Sequence, residues 1–210
     1  MTAGSDRRDL VAVLEDARRQ GFVGPRPVAE QIDHATAFAV LLETRGVGPA
    51  RFLDLGSGGG IPGLVLAARW QEQRATLLEV SVRRCAFLRQ TLVTLGLGER
   101  VEVAEGRAEL LGRRPELRGG YPLVVSRSFA APAVTAEIGG AFVEVGGTLA
   151  VSEPGDSATR WPAERVGELG LSPAEILQGE FARVAILRRT APLAERWPRG
   201  VGIPTKRPLW

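Results

Sequence analysis

Residues 51–63 have the sequence RFLDLGSGGGIPG, and the apolar run LVLAA follows at 64–68. The apolar start of this stretch predicts a buried strand, and the run after it predicts a helix. Between the two, glycines stand at 56, 58, 59, 60 and 63, where they allow positive φ angles or let a ligand lie against the main chain. A helix that begins at such a turn presents free N–H groups to the ligand. The stretch therefore predicts a strand, a glycine turn and a helix that together cradle a ligand.

Strands and helices alternate after this stretch. Amphipathic helices separate five predicted apolar strands, at 51–54, 75–80, 101–105, 123–126 and 147–152. Strands that are apolar along their whole length are typical of a parallel sheet with helices on both faces. Two further strands, at 174–178 and 182–187, are too close for a crossover helix and should form an antiparallel hairpin at the sheet edge. The sequence thus predicts a Rossmann-like α/β fold with a seven-stranded, mostly parallel sheet and an antiparallel terminal hairpin.

The two ends of the chain lie outside this alternation. Apolar residues at helical spacing predict helices at 5–20 and 29–45. The last segment, 191–210, contains four prolines and should be an extended basic strap anchored by Trp197 and Trp210. We therefore divide the chain into an N-terminal helical segment at 1–48, an α/β domain at 49–190 and a proline-rich strap at 191–210.

The composition limits the kind of protein. Of its 210 residues, 44% are hydrophobic and 24% charged, as in a globular protein, and no apolar run is long enough to span a membrane. The first nine residues lack an apolar signal core, so the expected location is the cytoplasm. Cys85 is the only cysteine, which excludes an intramolecular disulfide and a CxxC metal site. Arginine supplies almost all of the positive charge, since Lys206 is the only lysine.

Two cofactor classes fit the glycine turn. Residues 58–63 satisfy G-x-G-x-x-G and Glu79 follows about 20 residues later, as in a dinucleotide site. Asp54, however, precedes glycines at 56, 58 and 60, and an acid at that place would repel a pyrophosphate. The ammonium and sulfonium groups of S-adenosyl-L-methionine would be attracted by it. The predicted terminal hairpin also favours this methyl donor, because it closes the sheets of methyltransferases, so Asp54, Gly56, Gly58 and Gly60 are assigned to it.

Two later segments should complete the cofactor site. Glu79 ends the second strand and is placed to accept hydrogen bonds from both ribose hydroxyls. After the third strand, the segment at 107–109 lies where the adenine ring would rest. A backbone N–H near Ala108 could bond that ring, and the side chains would then be incidental.

Two features that the chain lacks, a Pro-Pro loop and a suitably placed cysteine, narrow the choice of methyl acceptor. Enzymes that methylate exocyclic amino groups carry a Pro-Pro loop after the fourth strand, where this chain has SRSF at 126–129. Methylation of pyrimidine C5 needs a cysteine nucleophile, but Cys85 falls within a helix and should be buried in the core. A ring nitrogen such as guanine N7 has a free lone pair and needs mainly orientation and a dry site. The sequence is consistent with that acceptor.

Several segments carry a resemblance to one family. They are the glycine turn with its Ile-Pro-Gly ending, LLE at 77–79, RRCAFLRQ at 83–90, VSRSFA at 125–130 and WPRGVGIPTKRPL at 197–209. Together they resemble the bacterial 16S rRNA guanine-N7 methyltransferase G family, also called glucose-inhibited division protein B. The tail is the most specific match, since many methyltransferases share the glycine turn. The resemblance implies a class I S-adenosylmethionine-dependent methyltransferase.

The resemblance also implies roles for individual residues. Cofactor contacts are implied at Gly56, Ile61, Ala108, Glu109 and Arg127, which all match the family's motifs. Arg127 would lie between the cofactor and the target base and be the catalytic residue.

RNA contacts are implied at both ends of the chain. In the tail, Arg199, Lys206 and Arg207 would hold RNA phosphate. The family's N-terminal Asn-Leu-Thr is absent, and of its helical Arg-His-x-x-Asp-Ser motif only His34 remains, which would help to position the RNA.

The expected function is thus methyl transfer to guanine N7 in 16S rRNA of the small ribosomal subunit, by a monomer without a metal. Two alternatives stay open: a small-molecule methyltransferase and a non-catalytic ribosome-assembly factor on the same fold.

Overall fold

The computed structural model describes residues 3–154 and 160–210. Its seven strands are β1 (Arg51–Leu55), β2 (Arg74–Glu79), β3 (Val101–Glu105), β4 (Tyr121–Ser126), β5 (Val143–Ser152), β6 (Glu175–Gln178) and β7 (Arg183–Arg188). They form one sheet in the order β3-β2-β1-β4-β5-β7-β6. Only β7 runs antiparallel to its neighbours, β5 and β6. The predicted α/β fold with a terminal hairpin is confirmed.

The helices cover both faces of the sheet. They are α1 (Ala3–Arg19), α2 (Val28–Thr44), α3 (Gly63–Arg69), α4 (Val82–Thr94), α5 (Ala108–Leu111), α6 (Pro132–Gly140), α7 (Ala163–Glu168) and α8 (Ile203–Lys206). None of the described helices is long and apolar enough to cross a membrane. The first four pack on one face, and α5, α6 and α7 pack on the other.

The alternation of side chains along β1 shows how the two cores form. Phe52 points into the core shared with α1 to α4, whereas its neighbour Leu53 points into the opposite core. Successive side chains of a strand face opposite sides of the sheet, so a strand that is apolar throughout must be covered twice. Leu14 of α1 and Phe38 of α2 belong to the first core, which makes the N-terminal helices part of the same packed unit as the sheet.

Strand β5 begins four residues earlier than predicted. Tyr121 pairs with Val143 but Leu123 pairs with Thr148, so the register between β4 and β5 shifts between these pairs. Such a bulge accommodates the glycines at 146–147, which the sequence pattern treats as the end of a loop.

The tail differs from the extended strap that was predicted. Residues 203–206 form the short helix α8, with Pro204 in its first turn, where a missing N–H costs nothing. The two aromatic anchors are in place: Trp197 is buried, and Trp210 donates from Nε1 to the carbonyl oxygen of Arg160 at 2.9 Å. The tail is thus packed on the protein rather than extended along it.

Candidate active site

The glycine turn is pinned to the end of β2. The amide groups of Gly56 and Ser57 both donate to the carbonyl oxygen of Leu78 at 2.9 Å, and the amide of Gly58 donates to Oε2 of Glu79 at 2.9 Å. Gly56 has a φ of 74°, and a Cβ there would collide with the ring of Phe129. The turn therefore needs glycine both for its conformation and for the close approach of the loop that follows β4.

Glu79 holds the turn with its carboxylate. Oε2 accepts from Gly58, and Oε1 accepts from the amides of Val80 and Ser81 at 3.0 and 2.9 Å. Only 4% of the residue is exposed. The side chain predicted to bind ribose thus lies directly behind the turn and already orders the backbone around it.

Asp54 lies beneath the turn. The residue is fully buried, and Oδ2 accepts from the amide of Gly63 at 3.0 Å. Oδ1 is also buried but has no hydrogen-bond partner in the part of the chain that the structure describes. Burial raises the pKa of the carboxyl to about 7, against the hydrogen bonds from Ser57 and Gly63. Asp54 is therefore a buried carboxyl group with one oxygen unpaired among the described residues and a pKa of about 7.

A cavity of about 700 Å³ opens above the turn, at the carboxyl edge of the sheet. Its walls are the glycine turn, the connection at 22–26 between α1 and α2, helix α2, the loop after β4, and the end of β5 with residues 160–161. The turn follows β1. The order in which successive strands are added to the sheet changes side between β1 and β4, with β2 and β3 on one side and β4 and β5 on the other. Open α/β sheets bind their ligands at this point of the topology.

Arg127 reaches into the cavity from the loop after β4. Its Nη2 donates to Oε1 of Gln31 on α2 at 2.9 Å. Nη1 is buried and has no partner among the described residues. Burial lowers the pKa of this guanidinium, Arg26 lowers it further, and Asp54 opposes the change. The guanidinium is therefore held in place on one side and left with a free donor on the other.

His34 lines the same cavity from α2. Its Nε2 lies 3.4 Å from the hydroxyl oxygen of Ser152, and Nδ1 is buried without a partner within the described ranges. Burial lowers the pKa of the imidazole, with further contributions from Arg127 and Arg26. The histidine that was predicted to contact RNA thus lies inside the cavity as a neutral side chain at pH 7.

Of the predicted cofactor residues, Gly56, Gly58, Ile61 and Arg127 line the cavity. Ala108 and Glu109 do not; they begin helix α5, on the other side of Glu79. Asp54, Gly60 and Glu79 likewise lie outside the cavity lining.

Two tail contacts use side chains that were predicted to bind cofactor or RNA. Oε1 of Glu109 accepts from the amide of Gly202 at 3.0 Å, so this carboxylate anchors the tail. Arg199 donates from its backbone amide, Nε and Nη2 to the buried carboxylate of Glu137 at 2.6 to 3.1 Å. The guanidinium of Arg199 is therefore committed to an internal ion pair, in contrast to the exposed Lys206 and Arg207.

The sequence pattern did not predict the end of the cavity beside β5. Glu153 directly follows β5, its side chain is 1% exposed, and Oε2 accepts from Nη1 of Arg160 at 2.6 Å. Burial raises the pKa of Glu153, and Arg160 opposes that rise. Trp161 lines the cavity beside them. Only the position of Glu153 at a strand end, the same signal used for Glu79, could have indicated it.

Within the described residues, no group of three or more His, Cys, Asp or Glu side chains could hold a metal ion. Cys85 is buried in α4, and its Sγ lies 3.4 Å from the carbonyl oxygen of Glu79, away from the cavity.

The strand order and the glycine turn define the fold of class I S-adenosylmethionine-dependent methyltransferases, which recurs in solved structures of that class. One similar structure is cofactor-bound Rv0187 from MTB, with a TM-score of 0.60 and 20% sequence identity, covering 88% of this chain and 91% of that one.

The family is shown by sequence. The model of the family described as rRNA small subunit methyltransferase G matches residues 13–158, and the chain belongs to that family. The enzyme named ribosomal RNA small subunit methyltransferase G from Roseiflexus castenholzii is 35% identical over 170 residues, which cover 77% of this chain and 71% of the relative. The enzyme of that name from Rubrobacter xylanophilus is 32% identical over 216 residues, covering 96% of this chain and 82% of the relative.

Proposed function

We propose that this protein transfers a methyl group from S-adenosyl-L-methionine to N7 of a guanine in 16S rRNA of the small ribosomal subunit. The observation that carries the proposal is that Arg127 and the glycine turn share one cavity at the switch point of the sheet. The acceptor base and the methyl donor could therefore meet beside a fixed guanidinium.

The residues of the turn fit the cofactor. Asp54 has a buried carboxylate oxygen without a partner among the described residues, and a nearby cationic ligand would stabilise its ionised form. In our proposal Gly56, Gly58 and Ile61 hold the methionine end against bare backbone, with Gly60 shaping the turn. The fit thus rests on charge as well as on shape.

The nucleoside end would lie along β2 and α5. Glu79 would accept the ribose hydroxyls through lone pairs left by its three backbone bonds, since each carboxylate oxygen can accept more than one hydrogen bond. The amide of Ala108 stands in the first turn of α5, where N–H groups lack helical partners, and would bond the adenine ring. Glu109 would contribute through its backbone, because its side-chain carboxylate already accepts a hydrogen bond from the amide of Gly202.

Methylation of guanine N7 needs little acid–base catalysis from the protein. S-adenosyl-L-methionine, held at the glycine turn, would supply an electrophilic methyl group to the N7 lone pair. Arg127, held by Gln31, would orient the base by donating a hydrogen bond to it. The connection at 22–26 covers the turn and excludes water.

The RNA would be held outside the cavity by the exposed Lys206 and Arg207 of the tail. Arginine and lysine contacts to phosphate position a nucleic acid without reading its sequence. We further propose that the protein works in the cytoplasm as a monomer.

The test uses small subunits that lack the modification. Incubation with labelled cofactor should give a single 7-methylguanosine in 16S rRNA, located by mass spectrometry. Label on small molecules alone would identify a small-molecule methyltransferase. A protein that binds subunits but fails to bind the cofactor in calorimetry would be an assembly factor.

A further inference from the structure

The cavity extends beyond the cofactor end towards β5. Because the strand order is β1-β4-β5, the glycine turn, Arg127 and Glu153 follow three neighbouring strands in a row. Neighbouring strands are about 4.8 Å apart, so Glu153 lies roughly 10 Å from the turn, with Arg127 between them. A planar base can span that distance.

Unsatisfied donors mark this end of the cavity as a site for a polar ligand. The buried side-chain polar atoms that lack a hydrogen-bond partner among the described residues include Nδ1 of His34 and Nη1 of Arg127, and both residues line the cavity. Buried polar groups are almost always paired, and leaving one unpaired destabilises the fold. A ligand with polar edges in this cavity would supply partners for these two atoms.

We propose that Glu153 is the guanine-selecting residue: its carboxylate accepts the N1–H and the 2-amino group of the target base. This rests on the proposed function. The free Nη1 of Arg127 donates to O6, and N7 then faces the methyl donor at the glycine turn. Along the edge of guanine the order is N7, O6, N1–H and 2-amino, which matches the order of methyl site, donor and carboxylate in the cavity.

Arg160 holds the carboxylate of Glu153 in position to accept these hydrogen bonds. It binds Oε2 at 2.6 Å, and its own side chain is 32% exposed, so it holds the carboxylate without closing the cavity. Each carboxylate oxygen has more than one acceptor site, so both oxygens can still receive guanine protons. Adenine has no N1–H. Its N1 is a hydrogen-bond acceptor and would face the buried carboxylate, which is also an acceptor. A site built to receive donors rejects an analogue that lacks them much more strongly than a hydrophobic pocket would.

The test compares the base and the side chain together. Small subunits are reconstituted with 16S rRNA that carries either guanosine or inosine at the methylated position; inosine keeps N7, O6 and N1–H but lacks the 2-amino group. The wild-type protein should methylate the inosine substrate with a kcat/KM about tenfold lower, the effect of one hydrogen bond to a charged group. Glu153→Gln should lower kcat/KM on guanosine about 10- to 100-fold and show no further loss on inosine.

The controls separate recognition from folding. Glu153→Gln should bind S-adenosyl-L-methionine like the wild type, and Glu144→Gln, at the other end of β5, should keep wild-type kcat/KM on both substrates. Equal wild-type rates on guanosine and inosine overturn the proposal, and this arm needs no variant. The proposal is also overturned if replacing guanosine by inosine lowers kcat/KM equally in the wild type and in Glu153→Gln. If the wild type methylates no guanine N7, the proposed function fails and this assignment with it; if it does so without regard to the 2-amino group, only the assignment fails.

Discussion

Arg127 and Gln31 are 96 residues apart in the chain, yet Nη2 of the arginine donates to the amide oxygen of the glutamine at 2.9 Å. The Nε2 group of Gln31 donates in turn to the carbonyl oxygens of Gly24 and Arg26 at 3.1 and 3.0 Å. One amide therefore connects the loop after β4 to the connection that covers the glycine turn. Helix α2 is part of the candidate active site for this reason.

The first prediction concerns Arg127. Arg127→Ala should lower turnover roughly 100-fold, the effect of losing one fixed donor in a dry site. The fold should be retained, because Gln31 keeps its bonds to the covering connection. The affinity for the cofactor should fall by less than turnover, since Arg127 is only one of several implied cofactor contacts. Steady-state rates and calorimetry measure the two quantities separately. Arg18→Ala on the exposed face of α1 is the control, and an active Arg127→Ala variant would refute the role of this guanidinium.

The second prediction concerns the pH dependence of stability. The pKa of Asp54 is raised from 3.8 to about 7, so its contribution to stability is complete below pH 3.8 and is lost as pH rises through 7. Between pH 5.5 and 7 the wild-type free energy of unfolding should fall by about 2 kcal/mol more than that of Asp54→Asn. Urea denaturation at several pH values measures both slopes. Parallel slopes would show that Asp54 does not titrate in this range.

The same carboxyl should link cofactor binding to protons. A cationic ligand favours ionised Asp54, so binding below pH 7 should release a proton and affinity should rise with pH. Calorimetry in two buffers of different ionisation enthalpy detects the released proton. Asp54→Asn should abolish the release, and a release that persists in the variant would assign it to another group.

The third prediction concerns the cover of the turn. A Cβ at Gly59 would collide with Cγ2 of Val23 and lie 3.0 Å from the carbonyl oxygen of Phe22. Gly59→Ala should therefore displace this connection and weaken cofactor binding about tenfold. Gly48→Ala, where nothing lies within 4 Å, is the matched control. Equal affinities in the two variants would mean that the connection does not help to hold the cofactor.

The fourth prediction concerns the anchor of the tail. Glu137 is fully buried and pairs with Arg199, so Glu137→Ala leaves a partly buried guanidinium without its partner. We expect a loss of about 3 kcal/mol in the free energy of unfolding. Glu168→Ala, which breaks the exposed pair with Arg165, should cost less than about 0.5 kcal/mol. Chemical denaturation compares them, and similar losses would contradict the assignment of an internal anchor.

The fifth prediction concerns the RNA surface. Lys206→Ala and Arg207→Ala should each weaken binding to the small subunit and reduce the slope of log K against log salt by about one. Arg69→Ala should leave that slope unchanged, because Arg69 pairs with Glu43 and ends helix α3, on the face of the sheet opposite the tail. An unchanged slope in both tail variants would place the RNA elsewhere on the protein.

The local pattern of the chain was sufficient for the architecture. The strand, glycine turn and helix at 51–69 depend on residues only a few positions apart, so their spacing is visible in the sequence. The short connection between β6 and β7 likewise predicts the antiparallel hairpin, because no crossover helix fits in it. Helix α8 was missed since prolines weaken a helical pattern, although the first turn tolerates them.

The site itself depended on distant contacts. Glu109 holds Gly202 over 93 residues and Glu137 holds Arg199 over 62, and no spacing in the chain records such pairs. The sequence therefore determined which backbone forms the cofactor turn. Only the tertiary structure decided that Arg199 is an internal anchor and that Glu153 lines the cavity, because burial and charge pairing arise when separate elements pack together.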